Sequence, residues 1–182
     1  MTPLDPRCLE LFPTWLQTLA DDARALAQVL ETSPGEPTRR AAAAALNYLF
    51  KSIDLIPDGL EDLGFLDDAF VFRVAMARAR SAGDELSANG AAERLADDAA
   101  LIAEFLGDDY PRLEAFVDSL GEKTVRGRTV DALIAEPELR EELQRDLHSW
   151  VEDFEVPSFV KDTKNLVKLR AFLITKLAPP AT

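Results

Sequence analysis

Apolar residues recur along this chain at intervals of three and four, and almost nowhere at intervals of two. That spacing lines one side of an α-helix, whereas strict alternation would line one face of a strand. Trp15, Leu16, Leu19, Ala23, Leu26, Ala27 and Leu30 form the first stripe, with Pro13 placed to open its first turn. A turn at residues 33–37 closes that helix. It opens a second one striped by Ala42, Ala45, Leu46, Leu49, Phe50 and Ile53. Residues 69–82 are apolar nearly all round, broken mainly by Arg73, Arg78 and Arg80, which predicts a helix at the centre of a bundle.

Gly83 and the pair Asn89-Gly90 read as turns. Leu95, Leu101, Ile102, Phe105 and Leu106 stripe the next helix, which Gly107 stops, and Asp109 and Pro111 open a short one ended by Gly121. The polar run 122–128, with Gly127 in it, is the expected boundary between a helical domain over 1–121 and a C-terminal helical extension over 122–182 packed on it. That extension holds a short patch at Val130, Leu133 and Ile134. A long helix opens at Pro137 and is striped by Leu139, Leu143, Leu147, Trp150, Val151 and Phe154, and a last one follows Pro157. The pattern predicts an all-α, multi-helix bundle of about seven or eight helices.

Composition narrows the function classes. With 182 residues, 47% of them hydrophobic, the chain can bury a sizeable core. A net charge of −13 argues against nucleic-acid binding, which needs cationic groups to displace phosphate counterions. The charge is uneven. Lys161, Lys164, Lys168, Arg170 and Lys176 against Asp162 alone give residues 158–182 a charge of +4, leaving −17 on the remainder. Phe159, Leu166, Leu169, Leu173 and Leu177 share one helical face, and Lys161, Lys164 and Lys168 another. Such a basic amphipathic helix can dock on its own acidic body, grip a protein partner or a second copy, or lie on an anionic membrane. The expected location is cytoplasmic, since one cysteine, Cys8, forms no intrachain disulfide, no signal peptide opens the chain, and no apolar run approaches membrane-spanning length. Attachment to the periphery of the inner membrane would follow from the last of the three roles. The lone His148 precludes a multi-histidine zinc site, and a Cys8–His148 dyad is left open by sequence.

The densest chemistry lies at residues 48–68. Six carboxylates fall between Asp54 and Asp68 with no Lys, Arg or His among them, threaded between apolar residues. Tyr48, Asp54-Leu-Ile-Pro57-Asp58 and Gly64-x-x-Asp67-Asp68 resemble the signature of the YkvA-like family, a short domain of unknown function found mostly in bacteria. The resemblance covers roughly residues 40–80 and implies two apolar helices joined by an acidic, proline-containing turn. Family members are often membrane-associated, and no catalytic activity is established for the domain. Ser52, Gly59 and Glu61 depart from the pattern towards polarity, so a membrane-embedded hairpin is not carried over.

Physical chemistry assigns several of these residues to the fold. Pro57 ends the first helix. Asp58 and Glu61 have capping-box spacing for a short helix. Asp67 or Asp68 can cap the buried helix, worth about 1 kcal/mol, and Gly64 can take a positive φ. Asp54 is left without a duty. The alternative is that Asp54, Asp58, Asp67 and Asp68 converge as oxygen ligands for Mg²⁺ or Ca²⁺ in a metal-assisted hydrolase, although their spacing is not that of an EF-hand. The reading that takes in most residues is a non-enzymatic helical interaction or scaffold protein with no resident cofactor. It would work through protein contacts or self-association.

Overall fold

Eight α-helices, and no strand, are present among the described residues, 2–52, 54–86 and 90–180, of the computed structural model. They are α1 (Leu4–Thr32), α2 (Glu36–Leu49), α3 (Leu66–Ser81), α4 (Gly90–Leu106), α5 (Tyr110–Ser119), α6 (Val130–Ala135), α7 (Pro137–Asp153) and α8 (Thr163–Lys176). The all-α class read from periodicity is therefore correct. Helix α3 sits at the centre, packed against α1, α2, α4 and α5. Its polar face is nearly absent, as the sequence implied, because neighbours cover it on every side.

Phe12, Trp15, Phe70 and Phe105 interlock where α1, α3 and α4 meet, with ring centroids 5.1–6.3 Å apart and mostly edge-to-face. Leu133, Leu143, Leu147, Leu166, Leu169 and Leu173 belong to the same hydrophobic cluster.

Several boundaries differ from the expected ones. Helix α1 does not begin at Pro13 but runs through it from Leu4. Pro13 deprives the helix of one N–H, yet Cys8, Leu9 and Phe12 continue the buried stripe ahead of it, and packing outweighs the lost bond. Helix α2 stops at Leu49, and Ile53 lies outside the described residues, as does Asn89. The polar run 122–128 is pinned rather than loose. Val125 and Arg128 bridge each other, and Arg128 is 1% exposed. Asn47 donates from Nδ2 to the Arg128 carbonyl at 3.1 Å.

Arg73 lies fully buried in α3, where periodicity treated it as punctuation. It meets Asp98 at 3.1 Å and Asp22 at 3.5 Å, and its guanidinium lies 4.1 Å over the Trp15 ring. Arg94 also reaches Asp22, at 2.5 Å.

Candidate functional site

Tyr48 lies in the last turn of α2, and the described residues between 50 and 65 cross to α3 without forming a helix. Leu55 and Ile56 are buried and anchor this crossing, while Pro57 faces solvent. Three hydrogen bonds knit the crossing to both helices. The Tyr48 hydroxyl donates to Asp67 Oδ2 at 2.5 Å, the Leu55 N–H donates to the Tyr48 hydroxyl oxygen at 2.9 Å, and the Ile56 N–H donates to Asp67 Oδ2 at 3.3 Å. One phenol and one carboxylate thus fix the end of α2, the middle of the turn and the start of α3.

This geometry changes the duties inferred from spacing. Asp58 and Glu61 open no helix, because residues 58–65 are successive turns, with Asp62 and Phe65 at φ 66° and 67°. Neither Asp67 nor Asp68 is the N-cap. Helix α3 starts at Leu66 behind Phe65, without a side-chain cap, and both aspartates lie inside its first turn. There their charge still suits the helix dipole. Gly64 is needed for space and not for a positive φ. A Cβ at Gly64 would lie 2.1 Å from the Asp58 carbonyl oxygen, while the Gly64 N–H bonds the Leu60 carbonyl at 2.8 Å.

The acids form a graded set from inside to outside. Asp67 and Asp68 are 0% and 1% exposed, Asp54 is half-buried, and Asp58 is exposed at the mouth. Asp54 Oδ1, Asp67 Oδ1 and Asp68 Oδ2 are buried without a hydrogen-bond donor. Burial pushes the Asp54 carboxyl up to about 7, helped by the charges of Asp67 and Asp58 and opposed by Lys51. Burial also raises Asp67, against the pull of its bonds from Tyr48 and Ile56. Asp68 rises furthest, by burial first and then by its charged neighbours Asp67, Asp58 and Asp54. The adjoining Asp67 carboxylate therefore favours a proton on Asp68. Each brings an oxygen that no other group satisfies. Among the described residues, no group of three or more His, Cys, Asp or Glu side chains is arranged to hold a metal ion.

Residues 38–73 match the family model described as a protein of unknown function, DUF1232. The resemblance drawn from Tyr48, Asp54, Pro57, Asp58, Gly64, Asp67 and Asp68 is thereby shown. The match spans α2, the acidic turn and the first half of α3, about a fifth of the chain. Neither the comparison with curated proteins nor that with solved structures gives a match. The DUF1232 match therefore names a structural unit and assigns it no activity.

The other sequence-derived sites are separated. Cys8 is buried near Asp5 and Glu104, and burial raises its thiol to about 11, the reverse of nucleophile activation. His148 is exposed and shares a groove with Ala27, which lies about 28 Å along α1 from Cys8 at 1.5 Å per residue. No dyad forms. Lys161, Lys164 and Lys168 point to solvent, whereas Arg170 folds back, donating to the Phe105 carbonyl and lying 4.7 Å over its ring. No described helix is long and apolar enough to cross a membrane. Sequence reasoning passed over Lys123, Arg126 and Arg128 as a polar boundary. Three cations within six residues of a −13 chain were the signal.

Proposed function

We propose that the protein works by binding a macromolecular partner rather than by catalysis, through the outward face of residues 156–168. The observation that carries this is the surplus of that face. Val156, Val160 and Val167, at 50, 58 and 67%, are three of the four large hydrophobic side chains exposed among the described residues. Exposed Lys161 and Lys164 fall between Val160 and Val167 in the chain, and exposed Lys168 follows them. The fold does not use these side chains, since α8 already buries Leu166, Leu169 and Leu173 on its other face. The segment is also fixed in place. Asp62, in the DUF1232 turn, accepts the Val160 N–H at 3.1 Å and the Ser158 hydroxyl at 3.5 Å.

A basic face with apolar inserts suits an acidic protein surface. A second copy of the chain is the first candidate, because everything outside residues 158–182 sums to −17. The hydrolase alternative fits less well. Asp67 and Asp68, its two innermost acids, are closed to a substrate arriving from solvent.

Sedimentation of the full chain at low and high salt tests the proposal. Association that weakens with salt and disappears in Val160→Asp/Val167→Asp is the expected result. A chain that stays monomeric at every concentration excludes the second copy. Flotation on anionic vesicles, lost in the same variant, would then replace a protein partner with a membrane surface.

A further inference from the structure

A cleft of about 630 Å³ opens where the end of α2, the 125–128 turn and α7 meet, lined by Lys51, Asp58, Arg126, Asp146, Ser149 and Trp150. Its size is that of a small-molecule site. Its charge is unlike the rest of this acidic protein. Asp146 is raised by burial but more strongly lowered by hydrogen bonds from Arg128 and Arg126, at 2.8 and 3.2 Å, so it is ionised and already shared by two guanidiniums.

Lys51 has no ion-pair partner among the described residues. Its ammonium lies 5.8 and 5.5 Å from the ring centroids of Tyr48 and Phe116. Partial burial lowers its affinity for a proton, and nearby Lys123 lowers it further against the pull of Asp54. Behind the cleft wall, Arg128 Nε and Nη2 are buried without an acceptor. Asp58 is the one lining acid outside these pairs, and it can accept a neutral donor carried by a ligand.

Arg126 supplies the second observation. Arg126 and Gly127 take φ 50° and 74°, the geometry of a two-residue turn that Asn-Gly fills with less strain. An arginine is a poor local choice here. What it adds is a guanidinium 4.9 Å over the Phe50 ring and beside Asp146, at the cleft.

We propose that this cleft binds a small organic oxyanion, with its charged group between Lys51 and Arg126 and its apolar or aromatic body against Phe50 and Trp150. The site is independent of the 156–168 face and stands or falls alone.

Pyridoxal phosphate tests it, as an aromatic phosphate whose aldehyde condenses with a neutral lysine amine, losing water, and is fixed by borohydride. The full chain is treated, digested and mapped over its six lysines. Lys51 should be labelled first, and about tenfold faster than by pyridoxal without the phosphate, the ratio given by about 1.4 kcal/mol of charge-assisted bonding. Arg126→Asn, which suits the turn, should keep the melting temperature and lose the phosphate preference at Lys51. Equal labelling of Lys51 and the surface lysines would overturn the proposal. So would equal rates for the two aldehydes, or an unchanged preference in Arg126→Asn.

Discussion

Asp68→Asn should stabilise the protein at pH 8, although it removes a charge from the start of a helix. Asp67 and Asp68 are buried side by side, each with an oxygen that lacks a donor. A proton on Asp68 would remove the charge that burial and its acidic neighbours disfavour. Both carboxyls are raised above the ordinary 3.8, so between that value and the folded-state value the folded protein binds more protons than the unfolded chain. Stability from this pair is therefore fully present at low pH and is lost as pH rises. The amide introduced by Asp68→Asn is neutral at every pH and needs no proton. Leaving one buried acceptor unsatisfied costs about 1–3 kcal/mol, and linkage limits the change to about 1.4 kcal/mol per pH unit. We expect the variant to gain about 2 kcal/mol on the parent between pH 5 and pH 8. For a chain of this length that is roughly 4–8 °C in melting temperature. Thermal unfolding of parent and variant at both pH values measures it, with the parent cancelling contributions from other groups. If Asp68→Asn is less stable than the parent by the same margin at pH 5 and pH 8, the proton on Asp68 is wrong. A constant margin would mean that Asp68 is ionised throughout and balanced by a cation, as the Mg²⁺ or Ca²⁺ reading requires.

Gly64→Ala should lose about 3 kcal/mol in urea unfolding, since its Cβ meets the Asp58 carbonyl and backbone must move. Gly59→Ala, with open space around it, is the matched control, and equal effects would refute the close-approach argument. Tyr48→Phe strands the Leu55 N–H and removes one donor from Asp67, for about 2–3 kcal/mol. Amide exchange at Leu55 and Ile56 should speed up in that variant ahead of the core of α3. Arg73→Met leaves buried Asp22 to Arg94 and the Thr18 hydroxyl and should cost about 3 kcal/mol. Adding Asp22→Asn should recover most of that loss, and no recovery would mean that the packing of Arg73 on Trp15 carries the effect.

The helices were legible because amphipathic spacing survives wherever one face is buried, as with Leu166, Leu169 and Leu173 on α8. Their ends were less so. Pro13 signals a start by local rules, but the decision was made by Phe12 packing against Phe70 and Phe105, residues far along the chain. In the acidic turn Tyr48, Gly64 and Asp67 were singled out from sequence, but the structural duties of several residues there were not. Capping geometry is local, so Asp58, Glu61, Asp67 and Asp68 were read against their immediate neighbours. Asp67 is instead engaged by Tyr48, 19 residues earlier, and Gly64 answers to a carbonyl that spacing cannot place.

The same non-locality explains why the DUF1232 segment says so little by itself. Several of the polar groups it buries are completed from outside residues 38–73. Arg73 uses Asp22, Asp98 and Trp15, Asn47 holds the Arg128 carbonyl, and Thr38 gives its N–H and hydroxyl to Asp84 at 2.9 and 2.6 Å. A segment of this length lies below the size at which chains of about 40 residues fold without help. Its internal contribution is the Tyr48–Asp67 clasp, which sets the angle between α2 and α3. The surfaces that differ from a generic hairpin lie where other parts of the chain meet that clasp. Lys51 and Arg126 line the same cleft there, and Asp62 holds the segment carrying Val160. Function in this protein is accordingly to be sought at the edges of the acidic turn, where its carboxylates meet added cations, and not at the buried pair in its centre.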